Sequence, residues 1–239
     1  ARGRYAFGGR TTWGDYIGDR TGGADAQITD PTKPGYRGFV TFPDGSTQYA
    51  IANGTAANPH GGKNSQSVYD HGRDIFGTGF TRDNSVAFSG GDEKSTYFLS
   101  AGNTYTKGIV YNNSDNNRTT IRANVSRNLS DKFSSAANVT YARTFSDRIQ
   151  QGSNVSGIFL GGLRSPADYN NNQYYGDYTN AAGAVVTGRQ VSYRNPLGAG
   201  DPRYDNPNWT VNRVLNNSLV NRLVGSAELN FHPTGWLSF

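Results

Sequence analysis

The chain has 239 residues and a formal net charge of +5, and it contains neither Cys nor Met. The absence of Cys excludes a disulfide scaffold, thiolate metal sites and cysteine nucleophiles. The basic residues are spread singly and form no recognisable nucleic-acid-binding module, so we expect no nucleic-acid partner.

Residues 1–79 are rich in Gly and polar side chains, and we expect them to supply the first strand or strands together with long polar loops. Within this region the stretch from Thr41 to Thr47 predicts a hairpin turn, because Pro43 and Gly45 supply the dihedral angles that tight turns need. Turn chemistry alone accounts for this stretch.

One pattern repeats between Phe80 and Phe145: roughly ten residues of alternating apolar and polar character, and then a turn. The same alternation returns after residue 218. A period of two is typical of β-strands that have two different faces. The pattern predicts five strands, at residues 83–89, 95–105, 118–127, 133–143 and 219–231, and the start of a further strand at 236–239.

The connections between these strands alternate in length. Those near Asp92, Asp131 and Pro233 are short, whereas those near Asn113 and Gly183 are long. If consecutive strands run in opposite directions, the short turns share one side and the long connections share the other. Outer-membrane barrels have this asymmetry, with short periplasmic turns and long extracellular loops. We therefore predict an all-β fold, an antiparallel transmembrane β-barrel segment with long extracellular loops.

Strand length and charge placement fit the same interpretation. No apolar run is long enough for a transmembrane helix, but each predicted strand has roughly the 9–11 residues that a tilted membrane strand needs. Arg122, Arg222 and Glu228 lie at mid-strand on the polar faces. Facing lipid, such charges would cost roughly 2–4 kcal/mol each, so we expect them to face a watery lumen or a plug.

A soluble or surface carbohydrate-binding β domain is the alternative. It predicts that Ile121, Val125 and Val139 point into a closed core, whereas the membrane barrel predicts that they point at lipid. The connection from Ser146 to Ser218 is long for a soluble sandwich. Aromatic residues near the strand ends are also typical of the interfacial girdle of a membrane barrel, so we favour the barrel.

Several segments are informative through their actual residues as well as through the period of their alternation. These are residues 74–80, 84–91, 94–100, 108–110, 118–124, 205–210 and 220–223. In order and spacing, the chain from about residue 42 to Phe239 resembles the start of the barrel in the SusC/RagA family of TonB-dependent outer-membrane transporters of Bacteroidetes-type bacteria.

The resemblance implies a 22-stranded barrel with a plugged lumen in the bacterial outer membrane. It also implies uptake of an oligosaccharide or peptide substrate, powered by the TonB complex of the inner membrane. A SusD-like lipoprotein that closes over the barrel as a lid is the implied partner. The resemblance implies no enzymatic activity and no cofactor.

Several parts that members of this family contain are missing from the sequence. We find no N-terminal carboxypeptidase-like domain, TonB-box segment or plug domain, and most C-terminal strands are missing. We therefore expect a fragment or a partly identified longer polypeptide, with Ala1 a processed or truncated start. Residues 80–239 then hold about five barrel strands, and 1–79 hold the preceding strand or strands and loops.

The connection from Ser146 to Ser218 is the best candidate for substrate binding, because loops on a rigid scaffold carry specificity. Aromatic faces stack on sugar rings or apolar side chains, and Arg holds anionic groups. The alternative is that these residues fold the loop on itself or contact the lid. The predicted substrate-binding residues are Tyr174, Tyr175, Tyr178, Arg194 and Trp209.

We predict neither a metal site nor catalytic residues. The three His residues are widely separated and lack a ligand pattern, and the Asp residues of the Gly-rich opening do not fit the spacing of a calcium-binding EF-hand loop. These residues are His60, His71 and His232, and Asp15, Asp19, Asp25 and Asp30. No Ser/His/Asp grouping, phosphate loop or pair of carboxylates in a recognisable frame is present.

Overall fold

The structure is a computed structural model and describes residues 16–22, 29–34, 36–49, 66–193 and 204–239. It is mostly antiparallel β-sheet with few helices, which confirms the predicted all-β class. None of the helices in the described ranges is long and apolar enough to cross a membrane.

Nine strands and three short α-helices make up the regular structure of the described residues. The strands are β1 (Gly38–Thr41), β2 (Thr47–Tyr49), β3 (Phe80–Gly91), β4 (Ser95–Lys107), β5 (Asp115–Ser130), β6 (Phe133–Asp147), β7 (Tyr175–Asn180), β8 (Val185–Gln190) and β9 (Asn217–Phe231). The helices are α1 (His71–Ile75), α2 (Ile158–Arg164) and α3 (Pro207–Arg213), and one 3₁₀ turn covers Ile17–Asp19.

The chain forms two compact units. The small-sheet unit comprises the described parts of Ala1–Gly77, Val110–Asn112 and Ile149–Leu215. The large-sheet unit comprises Thr78–Ile109, Asn113–Arg148 and Asn216–Phe239.

The large sheet contains all five strands that the alternation predicted, in the order β3-β4-β5-β6-β9. Every neighbouring pair is antiparallel, and the strands are 12–16 residues long. The described residues form an open sheet rather than a closed barrel. At its C-terminal edge, Phe231 and Phe239 exchange two backbone hydrogen bonds, but residues 236–239, which were predicted to begin a further strand, form no strand of this sheet.

The register places the apolar sides of all five strands on one face, which we call the apolar face. Its three central rows hold only apolar or aromatic residues and glycine. The rows are Val86, Ala101, Ile121, Tyr141 and Leu223; Phe88, Leu99, Ala123, Val139 and Gly225; and Gly90, Tyr97, Val125, Ala137 and Ala227. The intervening rows form the opposite face, which is mostly polar and carries Arg122, Arg222 and Glu228 as predicted.

Short turns close the large sheet at one end. Between β3 and β4, the carboxylate of Asp92 accepts the backbone N–H groups of Lys94 and Ser95 at 2.8 and 2.7 Å. Between β5 and β6, only Asp131 and Lys132 connect Ser130 to Phe133. The β4–β5 connection and the long segment between β6 and β9 lie at the other end, so the predicted asymmetry of the connections is present.

The small-sheet unit contains a four-stranded antiparallel sheet in the order β2-β1-β7-β8. The predicted turn after Thr41 joins β1 to β2, with Gly45 at a φ of +80°. Two buried clusters stabilise the unit. One contains Val40, Phe42, Tyr169, Val191 and Tyr193, and the other contains Ile75, Val110, Ile158 and Val211.

Candidate functional site

An aromatic cluster with a central arginine lies where β7 begins and α3 ends. The rings of Tyr174 and Tyr175 have centroids 5.1 Å apart. The guanidinium carbon of Arg213 lies 4.6 Å from the centroid of the Tyr175 ring and 5.9 Å from that of Trp209. We call these four residues the arginine–aromatic cluster. A cation at these distances from ring faces is attracted by their negative quadrupole.

Helix α3 positions two members of the cluster. Asn206 caps the helix by accepting the backbone N–H of Asn208 at 2.9 Å, and Pro207 occupies the first turn, where a missing N–H costs nothing. Trp209 and Arg213 are four residues apart, so their side chains lie on the same side of the helix. The guanidinium of Arg213 can therefore contact the ring of Trp209 on its own helix as well as the ring of Tyr175 on β7.

Buried amides hold α3 in place. The Asn206 side chain, which is fully buried, donates to the carbonyl of Val191 at 3.0 Å. The Asn208 side chain donates to the carbonyl of Asn171 and to the Asn172 side chain, both at 3.0 Å. Because buried amides are costly to leave unpaired, these bonds fix α3 against the segments that flank β7 and β8.

The cluster is open to solvent. Tyr174, Tyr175 and Trp209 are half-buried, and Arg213 is exposed. Within the described part of the chain, the side chain of Arg213 makes no hydrogen bond or ion pair, so its five N–H groups have no described acceptor. The arrangement can therefore hold an anionic group beside flat apolar surfaces.

A second arginine shows the contrasting arrangement. The guanidinium carbon of Arg164 lies 4.8 Å from the centroid of the Tyr204 ring, and this ring stacks on Tyr193 with centroids 6.4 Å apart. However, Arg164 donates to the backbone carbonyl and to the side-chain oxygen of Asn154, at 2.8 and 2.7 Å. Its guanidinium already serves a structural purpose in tying α2 to the preceding loop.

The structure brings together three of the five predicted substrate-binding residues, Tyr174, Tyr175 and Trp209. Tyr178 lies apart, since it packs against the Val40 cluster and its hydroxyl donates to the carbonyl of Arg37 at 3.3 Å. Arg194 lies outside the described residues. Arg213 was not predicted, although its i, i+4 spacing from Trp209 would have suggested a shared face once a helix was recognised.

Two other tyrosines of the same connection are core residues. Tyr169 is 5% exposed and Tyr193 is 7% exposed, and their rings meet edge to face with centroids 6.5 Å apart. Burial raises the pKa of the Tyr169 phenol and also that of the Tyr178 phenol, so Tyr169 and Tyr178 stay neutral at physiological pH. Tyr169 and Tyr193 therefore serve as packing residues.

No group of three possible metal ligands occurs among the described residues. His71 instead belongs to a polar network, with Nε2 lying 2.9 Å from the carbonyl of Pro166. Its Nδ1 lies 3.1 Å from both the Asp74 carboxylate and the Asn171 amide. The network joins α1 to the turn after α2.

No protein-family model matches the chain. A search of curated proteins also finds no match.

Proposed function

We propose that this chain forms part of the wall of an outer-membrane β-barrel that imports nutrients. The observation that carries the proposal is the apolar face of the large sheet. Its three central rows run uninterrupted across five strands, while the other face is mostly polar. A membrane barrel needs this division, because lipid contacts one face of its wall and the lumen contacts the other.

The exposure of the apolar face supports a lipid-facing role. Ile121 is 51% exposed, Val125 is 50% exposed and Leu223 is 70% exposed. Contiguous apolar patches of this kind are rare on the surface of soluble monomers, where they mark interaction sites. Acyl chains are the environment that suits a patch as wide as five strands.

The apolar face ends in charged rows and then in aromatic pairs. Its three apolar rows run from Ala137 to Tyr141 on β6, about 13 Å along an extended strand. The rows on either side carry Arg127 and Arg143. Phe133 and Phe231 pair near one end, and Phe80 and Tyr105 pair near the other. Aromatic residues at both ends are typical of the interfacial girdles.

The short turns are staggered, as tilted strands require. The β3–β4 hairpin ends at Gly91 and Thr96, and Thr96 is in register with Ser126. Strand β5 continues past Ser126 to Ser130 before it turns. A shift of this kind from one hairpin to the next is part of the shear that accompanies strand tilt in a barrel.

The finer features of the importer rest on the resemblance to the SusC/RagA family. They are the 22-stranded plugged barrel, coupling to the TonB complex, the SusD-like lid and uptake of an oligosaccharide or peptide. The polar face, with Arg122 and Arg222, would then face the lumen and its plug. The arginine–aromatic cluster would serve as a substrate contact.

The soluble or surface carbohydrate-binding domain requires a closed core around Ile121, Val125 and Val139. These side chains are between 45% and 51% exposed, and no second layer covers them within the large-sheet unit. Their exposure favours the membrane wall.

Single cysteines on adjacent residues test the proposal. These 239 residues contain no Cys, so once any Cys elsewhere in the protein is replaced, Val139→Cys and Asn138→Cys each place one fluorescent label, on the apolar and the polar face respectively. We expect brominated lipid to quench the label at residue 139, and aqueous iodide to quench the label at residue 138, in the full-length protein reconstituted into vesicles.

Two outcomes would overturn the proposal. Equal quenching of both labels by iodide would mean that water covers both faces. Protection of the residue-139 label from both quenchers would place that residue in a closed protein core, as the soluble domain requires.

A further inference from the structure

Arg213 differs from Arg164, the other described arginine that contacts a ring, in having no acceptor among the described residues. The guanidinium of Arg164 donates two hydrogen bonds to Asn154, whereas Arg213 has two ring contacts and no described acceptor. A guanidinium carries five N–H donors in a planar fork that matches a carboxylate. The contacts with Tyr175 and Trp209 therefore hold the fork in place without using it.

Neutralising the helix end is the simplest alternative role for Arg213, since it occupies the last turn of α3. A basic side chain there is favourable in any helix. However, the Thr210 carbonyl already accepts the Val214 N–H, and the Asn212 side chain donates to the Asn208 carbonyl at 2.7 Å. The Arg213 guanidinium itself contacts the rings of Tyr175 and Trp209.

The rings also restrict what can bind beside the cation. Tyr175 and Trp209 come from different elements, β7 and α3, and each is half-buried, so neither ring is free to move far. A ligand with a carboxylate next to a flat apolar surface can meet the guanidinium and a ring edge together. Neutral ligands would lose the charge-assisted hydrogen bonds.

We propose that the arginine–aromatic cluster is a binding site for the carboxylate group of a small acidic ligand, with Arg213 as the residue that holds it. A uronic acid unit of an oligosaccharide and the C-terminus of a peptide both present this chemistry. The role of this site in holding an imported nutrient rests on the proposed importer function. Carboxylate binding by the cluster does not depend on that function.

Isothermal titration of the full-length protein in detergent tests the site with two ligand pairs. One pair is trigalacturonate and its neutral galactose counterpart. The other is an N-acetylated tripeptide and the same tripeptide with an amidated C-terminus. We expect at least one carboxylate ligand to bind, and its neutral counterpart to bind roughly tenfold more weakly or worse. The pair that responds identifies the source of the carboxylate.

Variants assign the effect to Arg213. Arg213→Gln should weaken carboxylate binding by roughly tenfold or more, and Arg213→Lys should restore little of it, because an ammonium group lacks the planar fork. Arg164→Gln is the matched control, since it removes the other described ring-stacked arginine and should leave affinity unchanged. Circular dichroism should show that all three variants keep the fold.

The proposal is overturned if neither carboxylate ligand binds, if the neutral counterparts bind equally well, or if Arg213→Gln leaves affinity unchanged. These outcomes are separate from the quenching experiment, which reads only the large sheet. Lipid quenching at residue 139 without carboxylate binding would keep the membrane wall and remove the site. Carboxylate binding without lipid quenching would do the reverse.

Discussion

The guanidinium of Arg20 donates a hydrogen bond to the Asp168 carboxylate across 3.0 Å, and both side chains are closed to solvent. The two residues are 148 positions apart in the sequence, so the pair ties the segment around the 3₁₀ turn to the chain that follows α2. Gln66 adds a hydrogen bond from its side chain to the Arg20 carbonyl. Burying two charges is costly, and removing one takes away a buried counter-charge of the other.

We therefore expect Arg20→Gln or Asp168→Asn alone to destabilise the 16–22 segment by roughly 3–5 kcal/mol. Hydrogen–deuterium exchange at its amides should speed up more than about hundredfold in each variant. The double variant Arg20→Leu with Asp168→Leu should lose less than the two single variants together, because it leaves no buried charge. Strictly additive losses would contradict a coupled pair.

Helix α2 provides a second test, in which two adjacent glycines should respond oppositely to the same substitution. A Cβ on Gly162 would overlap the Cδ1 atom of Ile75, which is 3% exposed. A Cβ on Gly161 would meet Pro207 at an ordinary contact distance of 3.4 Å. Ala has the higher helix propensity at both positions.

Gly161→Ala should thus leave the free energy of unfolding unchanged or raise it by up to ~1 kcal/mol. Gly162→Ala should lower the free energy of unfolding by about 1–3 kcal/mol through overpacking. Thermal unfolding of both variants measures the difference. Adding Ile75→Val, which removes the overlapping methyl group, should recover part of the loss. A loss of equal size at both glycines would point to a helix effect instead of a clash.

The β1–β2 turn should depend on pH through Asp44. A hydrogen bond from the Ser46 hydroxyl, and then one from the Ser46 backbone N–H, lower the pKa of Asp44 below its ordinary value of 3.8. A carboxyl with a lowered pKa in the folded state stabilises that state above its unfolded pKa, and this contribution is lost as pH falls through the folded pKa. The turn should therefore loosen only below about pH 4.

Amide exchange at Ser46, measured between pH 2 and pH 6 and corrected for intrinsic rates, should show this loss of protection. Asp44→Asn keeps a side-chain oxygen as acceptor but cannot titrate, so its protection should not change with pH. Asp44→Ala should lack the protection at every pH. A pH profile of Asp44→Asn that matches the native one would assign the effect to another group.

The large sheet could be predicted from the sequence because its signal is local. Each strand carries its own alternation, and the short turns at Asp92 and Asp131 fix the pairing within each hairpin. The register between hairpins then follows from keeping the apolar sides together, since a slip of one residue would move them to the opposite face. Ile121 and Val139 therefore lie on the same face of the sheet, the apolar face, as their alternation predicted.

The segment between Asp147 and Asn217 could not be predicted in the same way. Its two helices are seven residues each, too short for a helical period to stand out. Strand β7 pairs with β1, so Tyr178 lies opposite Val40, and no local pattern announces a contact between residues so distant in sequence. The prediction treated Tyr178 as a loop residue for this reason, and missed Arg213 because α3 was not recognised.

The proposed lipid contact gives the sharpest prediction for the large sheet. Val125 and Asn124 are adjacent on β5, but Val125 belongs to the apolar face, whereas Asn124 faces the polar side between Phe98 and Asn138. Val125→Arg would place a cation in acyl chains and should cost roughly 2–4 kcal/mol of folding free energy in a bilayer. Asn124→Arg would face the lumen and should cost little.

Sodium dodecyl sulfate gel electrophoresis of unheated samples measures the difference. Folded barrels migrate separately from unfolded chains on such gels, so the folded fraction of each variant can be read directly. We expect a clear loss for Val125→Arg and near-native folding for Asn124→Arg in the full-length protein. The comparison separates lipid from water directly: on a soluble sheet, Val125→Arg would replace an exposed apolar side chain with a charged one and would not reduce folding. Equal folding of both variants would therefore remove lipid from the apolar face, whatever else the chain binds.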